Sequence, residues 1–304
     1  MKHKFLSYGA GMQTFALLVM AEQGEIDIDE VVFADTGAEH METYQHIEEV
    51  AKPICDRIGI PFTTVRMQKE VDDISGLSER EIDDYKAMLR DTSSLKSRTE
   101  RINAHKEYAI EHGIPRRVVS SLRDEIIARR RVPSINPSSR WCTSDAKLIP
   151  IHRGFIRLEQ QKGNYIKPCT ALIGLSYEEL TRMYKPHLTE YVVEYPLIDK
   201  KMTRKDCVAY VERFGYNSPP KSGCYFCPFQ GKAQWGSLLH THPDMYWDAV
   251  GMEEADLNYP TYSLYPQGVT LRKLAAYFSD SVQTRLEDGY KEEMFCEQAG
   301  YCGV

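Results

Sequence analysis

Two sets of cysteines are the residues of this sequence best equipped for chemistry. Cys224 and Cys227 sit in Ser-Gly-Cys-Tyr-Phe-Cys-Pro-Phe, and Cys296 and Cys302 lie in a last stretch that reads Gly-Tyr-Cys-Gly-Val at its end. A Cys-x-x-Cys pair is a two-point chelate, because a tight turn brings both thiolates to one metal. Two thiolates still leave such a site in need of further ligands. Cys302 is carried where chain ends are usually mobile, so its thiol can visit a reaction centre and leave it. Cys55 and Cys169 have no ligand-spaced partner and read as core residues. Together the two sets point to sulfur or redox chemistry.

A third place for chemistry is the loop Ser7-Tyr8-Gly9-Ala10-Gly11-Met12-Gln13-Thr14. Its glycines let backbone N–H groups turn toward an anion, and the N-terminus of the helix that follows adds a favourable partial charge. Gly-Lys-Ser/Thr and Gly-x-Gly-x-x-Gly are both absent, which excludes a Walker loop and a Rossmann fingerprint. Farther on come Asp35-Thr36-Gly37-Ala38-Glu39 and Glu42-Thr43-Tyr44. The basic residues Arg129, Arg130, Arg131 and Arg140 precede Cys142, and Lys147 follows it.

These groups are positioned by an alternation of elements. Residues 3–8 read as a strand, Met12 to Gln23 as an apolar helix, Val31 to Ala34 as a strand, Met41 to Ile58 as a helix and Pro61 to Val65 as a third strand. Such alternation predicts a doubly wound, mainly parallel α/β sheet with helices on both faces, and polar groups at the carboxyl ends of neighbouring strands are where such sheets bind ligands. From about 69 to 117 the chain turns charged and helix-prone, and reads as a helical insertion. A helix from Val118 to Arg131 leads through Pro133 and Pro137 to Cys142, with Thr143 or Ser144 as the next cap. Ala171 to Gly174 and Tyr191 to Val193 read as late strands, and Thr203 caps a helix running to Phe214. The expected organisation is a nucleotide-binding α/β domain over 1–200 and a mostly helical, cysteine-bearing region over 201–304.

At 304 residues the chain can bury one substantial core and a smaller second one. Its 42% hydrophobic and 27% charged residues are those of a soluble globular protein, without the run of ~20 apolar residues that a membrane span needs. The sequence opens on a strand rather than a signal peptide, so a reducing cytoplasm is expected, where eight cysteines are unlikely disulfide staples. A net charge of −6 excludes indiscriminate coating of nucleic acid, while the basic stretch from Arg116 to Arg140 keeps a local anion site open.

The loop and the Asp-Thr-Gly segment resemble the PAPS-reductase-like proteins of the PP-loop ATP pyrophosphatase group, in the adenine nucleotide alpha hydrolase-like superfamily. The resemblance continues through Cys142-Thr143 with Lys147 and Pro150, Gly174-Leu175-Ser176-Tyr177-Glu178-Glu179 with Arg182, Tyr195-Pro196-Leu197-Ile198-Asp199, Thr203-Arg204-Lys205-Asp206-Cys207 and Cys224 to Phe229. It implies a phosphate-holding loop built on Ser7, Gly9, Gly11 and Thr14, a second nucleotide motif on Asp35, Thr36, Gly37, Glu42 and Thr43, and a further contact at Gly174. Gln13 stands where the family's loop carries an acid, which bears on any magnesium held there. Arg140, Lys147 and Arg182 fall inside these motifs and are expected to contact phosphate or the leaving group.

The same resemblance groups Cys142 and Cys207 with Cys224 and Cys227, four thiolates suited to a [4Fe-4S] cluster or to structural zinc. Cys302-Gly303 matches part of the tail of the assimilatory reductases, which makes Cys302 a nucleophile, a persulfide relay or a thiol resolved by Cys296. The leading function is therefore an ATP pyrophosphatase that adenylates an acceptor, a nucleic acid or a small molecule, for sulfur transfer from a donor protein. PAPS or adenylyl-sulfate reduction through Cys302 is the second reading, and a non-catalytic nucleotide- and metal-binding module the third.

Overall fold

The computed structural model describes residues 3–95, 97–135, 141–164, 168–184, 191–265 and 268–281. Its main elements in chain order are β1 (Lys4–Tyr8), α1 (Met12–Glu22), β2 (Glu30–Asp35), the helical stretch α2 (41–58, with a π turn at Ile47–Ala51), β3 (Phe62–Arg66) and β4 (Lys69–Asp72). Then follow α3 (Glu79–Ser93), α4 (Arg98–Glu111), β5 (Arg116–Val119), α5 (Leu122–Arg129) and the helical stretch α6 (141–161). After these come β6 (Cys169–Ile173), β7 (Tyr191–Glu194), α7 (Arg204–Arg213), α8 (Lys232–Thr241), α9 (Pro243–Glu254) and α10 (Leu271–Ser281).

The described residues fall into two compact units: one holds residues up to 67 and from 141 to 231, the other 68–135 with 232–281. This division differs from the boundary at 200 and the insertion limit at 117 expected from sequence. The physical reason lies in the ties between the two segments of the second unit. Arg123 grips Asp248 through two bonds of 2.8 and 2.5 Å, and Asp256 accepts the Val132 N–H at 2.7 Å.

In the first unit the five strands run parallel in the order β3-β2-β1-β6-β7. Strand alternation sorts their side chains into two cores. Leu6, Tyr8, Val31, Phe33 and Leu172 face α1, α2 and α7, while Phe5, Val32, Ala171 and Ile173 pack with Phe155 and Ile156 of α6. β2 is buried along its whole length, as a central strand covered on both faces must be. The doubly wound sheet is as the sequence predicts. Thr203 also caps α7 as expected: its hydroxyl accepts the Asp206 N–H at 3.2 Å and Asp206 returns a bond to the Thr203 N–H at 2.9 Å.

The second unit contains more than helices. β4 and β5 pair antiparallel, with Arg116 reaching Glu70 at 3.0 Å, and Val118, expected to open a helix, lies in β5. α5 begins three residues later than that, at the cap Ser121, whose hydroxyl accepts the Asp124 N–H at 3.0 Å. Thr143 and Ser144, expected as a cap, lie inside α6. Fully buried Glu125 pairs through one oxygen, Oε1, with Lys69 at 2.6 Å and Arg129 at 2.7 Å. Glu253, also fully buried, accepts the N–H groups of Leu264 and Leu271 at 2.8 and 2.7 Å. Among the described residues no helix is long and apolar enough to cross a membrane.

The end of β6 comes so close to the start of α1 that a methyl group at Gly174 would lie 2.7 Å from Thr14 Cγ2 and 2.9 Å from the Thr14 backbone nitrogen. Backbone cannot yield as a flexible side chain does. Gly174→Ala is expected to lower stability by about 1–3 kcal/mol, read as a lower urea midpoint; an unchanged midpoint would show that the two elements can part without cost.

Candidate functional site at the ends of the parallel strands

Strand order reverses beside β1. From β1 the chain winds outward through β2 to β3, whereas β6 and β7 lie on the other side. In an open parallel sheet the crevice outside the carboxyl ends of two such strands is the ligand site, because the loops leaving them diverge to opposite faces. Here the two loops are Gly9–Gly11 after β1 and Gly174–Ser176 after β6.

The first loop ends on Gly11, the cap of α1, which has no side chain to cap with. The Phe15 N–H makes the first helical bond, to the Gly11 carbonyl at 2.9 Å, so the N–H groups of Met12, Gln13 and Thr14 have no acceptor within the helix. The Thr14 hydroxyl turns back to the same carbonyl at 3.1 Å. Ala10 holds φ at +55°, a left-handed conformation that is strained for a residue with a Cβ. A methyl at Gly11 would lie 3.2 Å from Ser222 Oγ, which places the stretch before the Cys-x-x-Cys turn against this loop. Gly174 thus lies against Thr14 one turn from Gly11, and Ser7 lies at the carboxyl end of β1 between Val32 and Ile173 in register.

Gln13 donates to Glu179 Oε2 at 3.2 Å, so a carboxylate does stand beside the loop, supplied by the segment after β6. That carboxylate is already engaged. Ser176 donates to it through its N–H and hydroxyl at 3.2 and 3.0 Å, and Arg182 forms an ion pair with its other oxygen. Arg182 is therefore held by Glu179, three residues away, and orders this loop. The sequence carries the signal for Glu179 in Ser176-x-x-Glu179, a capping box.

After β2, Asp35 organises the turn. It accepts the Gly37 N–H at 2.8 Å and the Tyr44 hydroxyl at 2.7 Å, and pairs with Arg66 at 2.7 Å. Thr36 donates to Glu39 Oε1 at 3.1 Å and receives the Cys224 thiol at 3.3 Å. Residues 38–40 are clamped to 223–225: Tyr225 donates to the Ala38 carbonyl at 3.0 Å, and His40 to the Gly223 carbonyl at 3.2 Å. Glu39, 3% exposed, is the residue that the reading of candidate ligands misses, although it stands two residues after Asp-Thr-Gly. Burial pushes its carboxyl above the usual range, against the opposing pull of Lys147, the Thr36 hydroxyl and the Gly223 N–H. Of the other expected contacts, Glu42 is exposed, and Thr43 is fully buried with its hydroxyl unpartnered among the described residues.

The four cysteines are not placed as one ligand set. Cys224 lies near Cys142, Lys147 and Glu39, and burial drives its thiol upward. Cys227 closes the turn, its N–H donating to the Cys224 carbonyl at 2.9 Å. Cys207 is fully buried within the core against α1, in company with Val211 and Leu17, and burial pushes its thiol up to about 12. Among the described residues no three His, Cys, Asp or Glu side chains are gathered to hold a metal ion. Arg140, Cys296 and Cys302 lie outside the described residues.

Two outcomes check this arrangement. Cys207→Ser should cost about 1–3 kcal/mol through a buried hydroxyl and leave metal content by elemental analysis unchanged; loss of bound metal would restore the four-ligand grouping. For Glu39 the sign follows from its raised pKa: the folded chain binds this proton more tightly than the unfolded chain, so the contribution is favourable at low pH and is lost as pH rises. Glu39→Gln should therefore gain in Tm relative to the parent as pH climbs through and above the carboxylate range. A constant difference across that range would show that the buried carboxyl carries no such burden.

No family model and no curated protein matches this chain. Among solved structures it is similar to a crystal structure of phosphoadenylyl-sulfate (PAPS) reductase from Candida auris, a phosphate complex, at 12% identity. The similarity covers 74% of this chain and 82% of that one, with a TM-score of 0.39.

Proposed function

We propose that the first unit binds an adenine nucleotide across the ends of β1 and β6 and works as an ATP pyrophosphatase. The observation that carries this reading is the uncapped first turn of α1, with three N–H donors at the reversal of strand order and Gly174 pressed against it. Donors fixed in this way favour an anion and need no rearrangement when it arrives. An acceptor oxygen attacks the α-phosphorus, the bond to the bridging oxygen breaks, and pyrophosphate leaves with the electron pair. The adenylated acceptor is then open to a sulfur nucleophile, which displaces AMP.

Lys147 is the cation suited to the charge that develops, since it lies beside Glu39 and Cys224 at the end of β2. Asp35 and Arg66 hold the turn that positions Thr36. The acceptor is a nucleic acid or a small molecule.

Pyrophosphate release from ATP, assayed with nucleic acid and with small-molecule acceptors, is the test. Release is expected, and Lys147→Met should lower kcat/KM by about 100-fold. Sulfite from PAPS with a thiol reductant, in place of pyrophosphate from ATP, would assign the site to reduction; neither product would reject the pyrophosphatase reading.

A further inference from the structure

The glycine loop contains no lysine, yet a polyphosphate carries several negative charges that backbone N–H groups only partly offset. The cations around the strand ends are largely committed. Arg66 pairs with Asp35, Arg182 pairs with Glu179, and Lys147 lies beside Glu39 and Cys224. Lys221 differs from all three. Its ammonium nitrogen is buried and has no hydrogen-bond partner among the described residues.

A buried ammonium has three donors to satisfy and is costly without a partner. The backbone at this point is tightly determined. Pro219 and Pro220 fix the approach, Ser222 meets Gly11, Gly223 binds His40, and Cys224 binds Thr36. Lys221 thus sits on a stretch that touches both the glycine loop and the Asp-Thr-Gly turn. Resting on the nucleotide reading above, we propose that Lys221 is the phosphate-binding cation of this site, supplied by the segment before the Cys-x-x-Cys turn in place of a lysine in the loop.

The test measures binding of ATP, adenosine and inorganic pyrophosphate to the full chain and to Lys221→Met and Lys221→Arg by calorimetry, with Tm recorded in the absence of ligand. Lys221→Met is expected to weaken ATP and pyrophosphate binding by about 10- to 100-fold, to change adenosine binding by less than about 2-fold, and Lys221→Arg to keep most of the affinity. The ligand-free Tm of Lys221→Met should rise, because an unpaired buried charge is removed; a lysine with a merely structural role would lower it. Equal ATP affinity in parent and Lys221→Met would overturn the proposal and leave the nucleotide reading standing. Binding of pyrophosphate that depends on Lys221, without binding of ATP or adenosine, would retain Lys221 as an anion site and reject the nucleotide reading. If the parent binds none of the three, both fall.

Discussion

The close approach of Gly174 to Thr14 is the constraint on which the site depends. β1 and β6 are hydrogen-bonded neighbours, so the loops that leave them start within a strand spacing of each other. One loop must enter α1 and the other must pass its first turn. Only a residue without a Cβ allows that passage, and the result is a helix start enclosed by protein on the β6 side. A helix N-terminus with no capping side chain keeps its partial positive charge available to an anion. Ser222 closes the same loop from another direction. The geometry of the helix start is therefore set by sheet order and one glycine before any charged side chain is considered.

Charges around that helix start are distributed so that few carboxylates remain to repel an anion. Asp35 is bonded by Arg66, Tyr44 and the Gly37 N–H, and Glu179 by Arg182, Gln13 and Ser176. Glu39 is held toward its neutral form by burial. Gln13 fits the same pattern: its amide carries no charge of its own and shares a carboxylate that an arginine already neutralises.

Much of the first unit is legible in the sequence because its signals are local. Val31 to Ala34 reads as a buried strand since a central parallel strand needs apolar residues on both faces, and Thr203 with Asp206 announces the start of α7. The second unit is harder to read. β4 is Lys-Glu-Val-Asp, a strand without an apolar run, which pairs with Arg116–Val119 through Arg116 to Glu70 and so looks like a solvated loop in one dimension. Its union with 232–281 rests on Arg123 with Asp248 and Val132 with Asp256, contacts more than a hundred residues apart that no local pattern encodes. At the site, spacing within motifs says nothing of the direction in which Cys207 points. Its helical neighbour one turn on is Val211, and both face the core.

Cys224 and Cys227 acquire different characters from this framework, although the motif makes them look alike. The Thr36 hydroxyl has one proton, and that proton goes to Glu39; toward Cys224 and the Ala38 N–H it can only accept. Cys224 is consequently the donor end of a chain that runs from thiol to hydroxyl to carboxylate, with Lys147 favouring the charged form at both of its ends. Cys227 instead serves the turn through its backbone, since its N–H closes on the Cys224 carbonyl. A chelating pair requires two equivalent thiolates facing one point. Here one thiol is bound into a proton path fixed by the turn after β2, so removing its proton draws on Thr36 and Glu39, and the chemistry of Cys224 is tied to the strand ends that form the anion site.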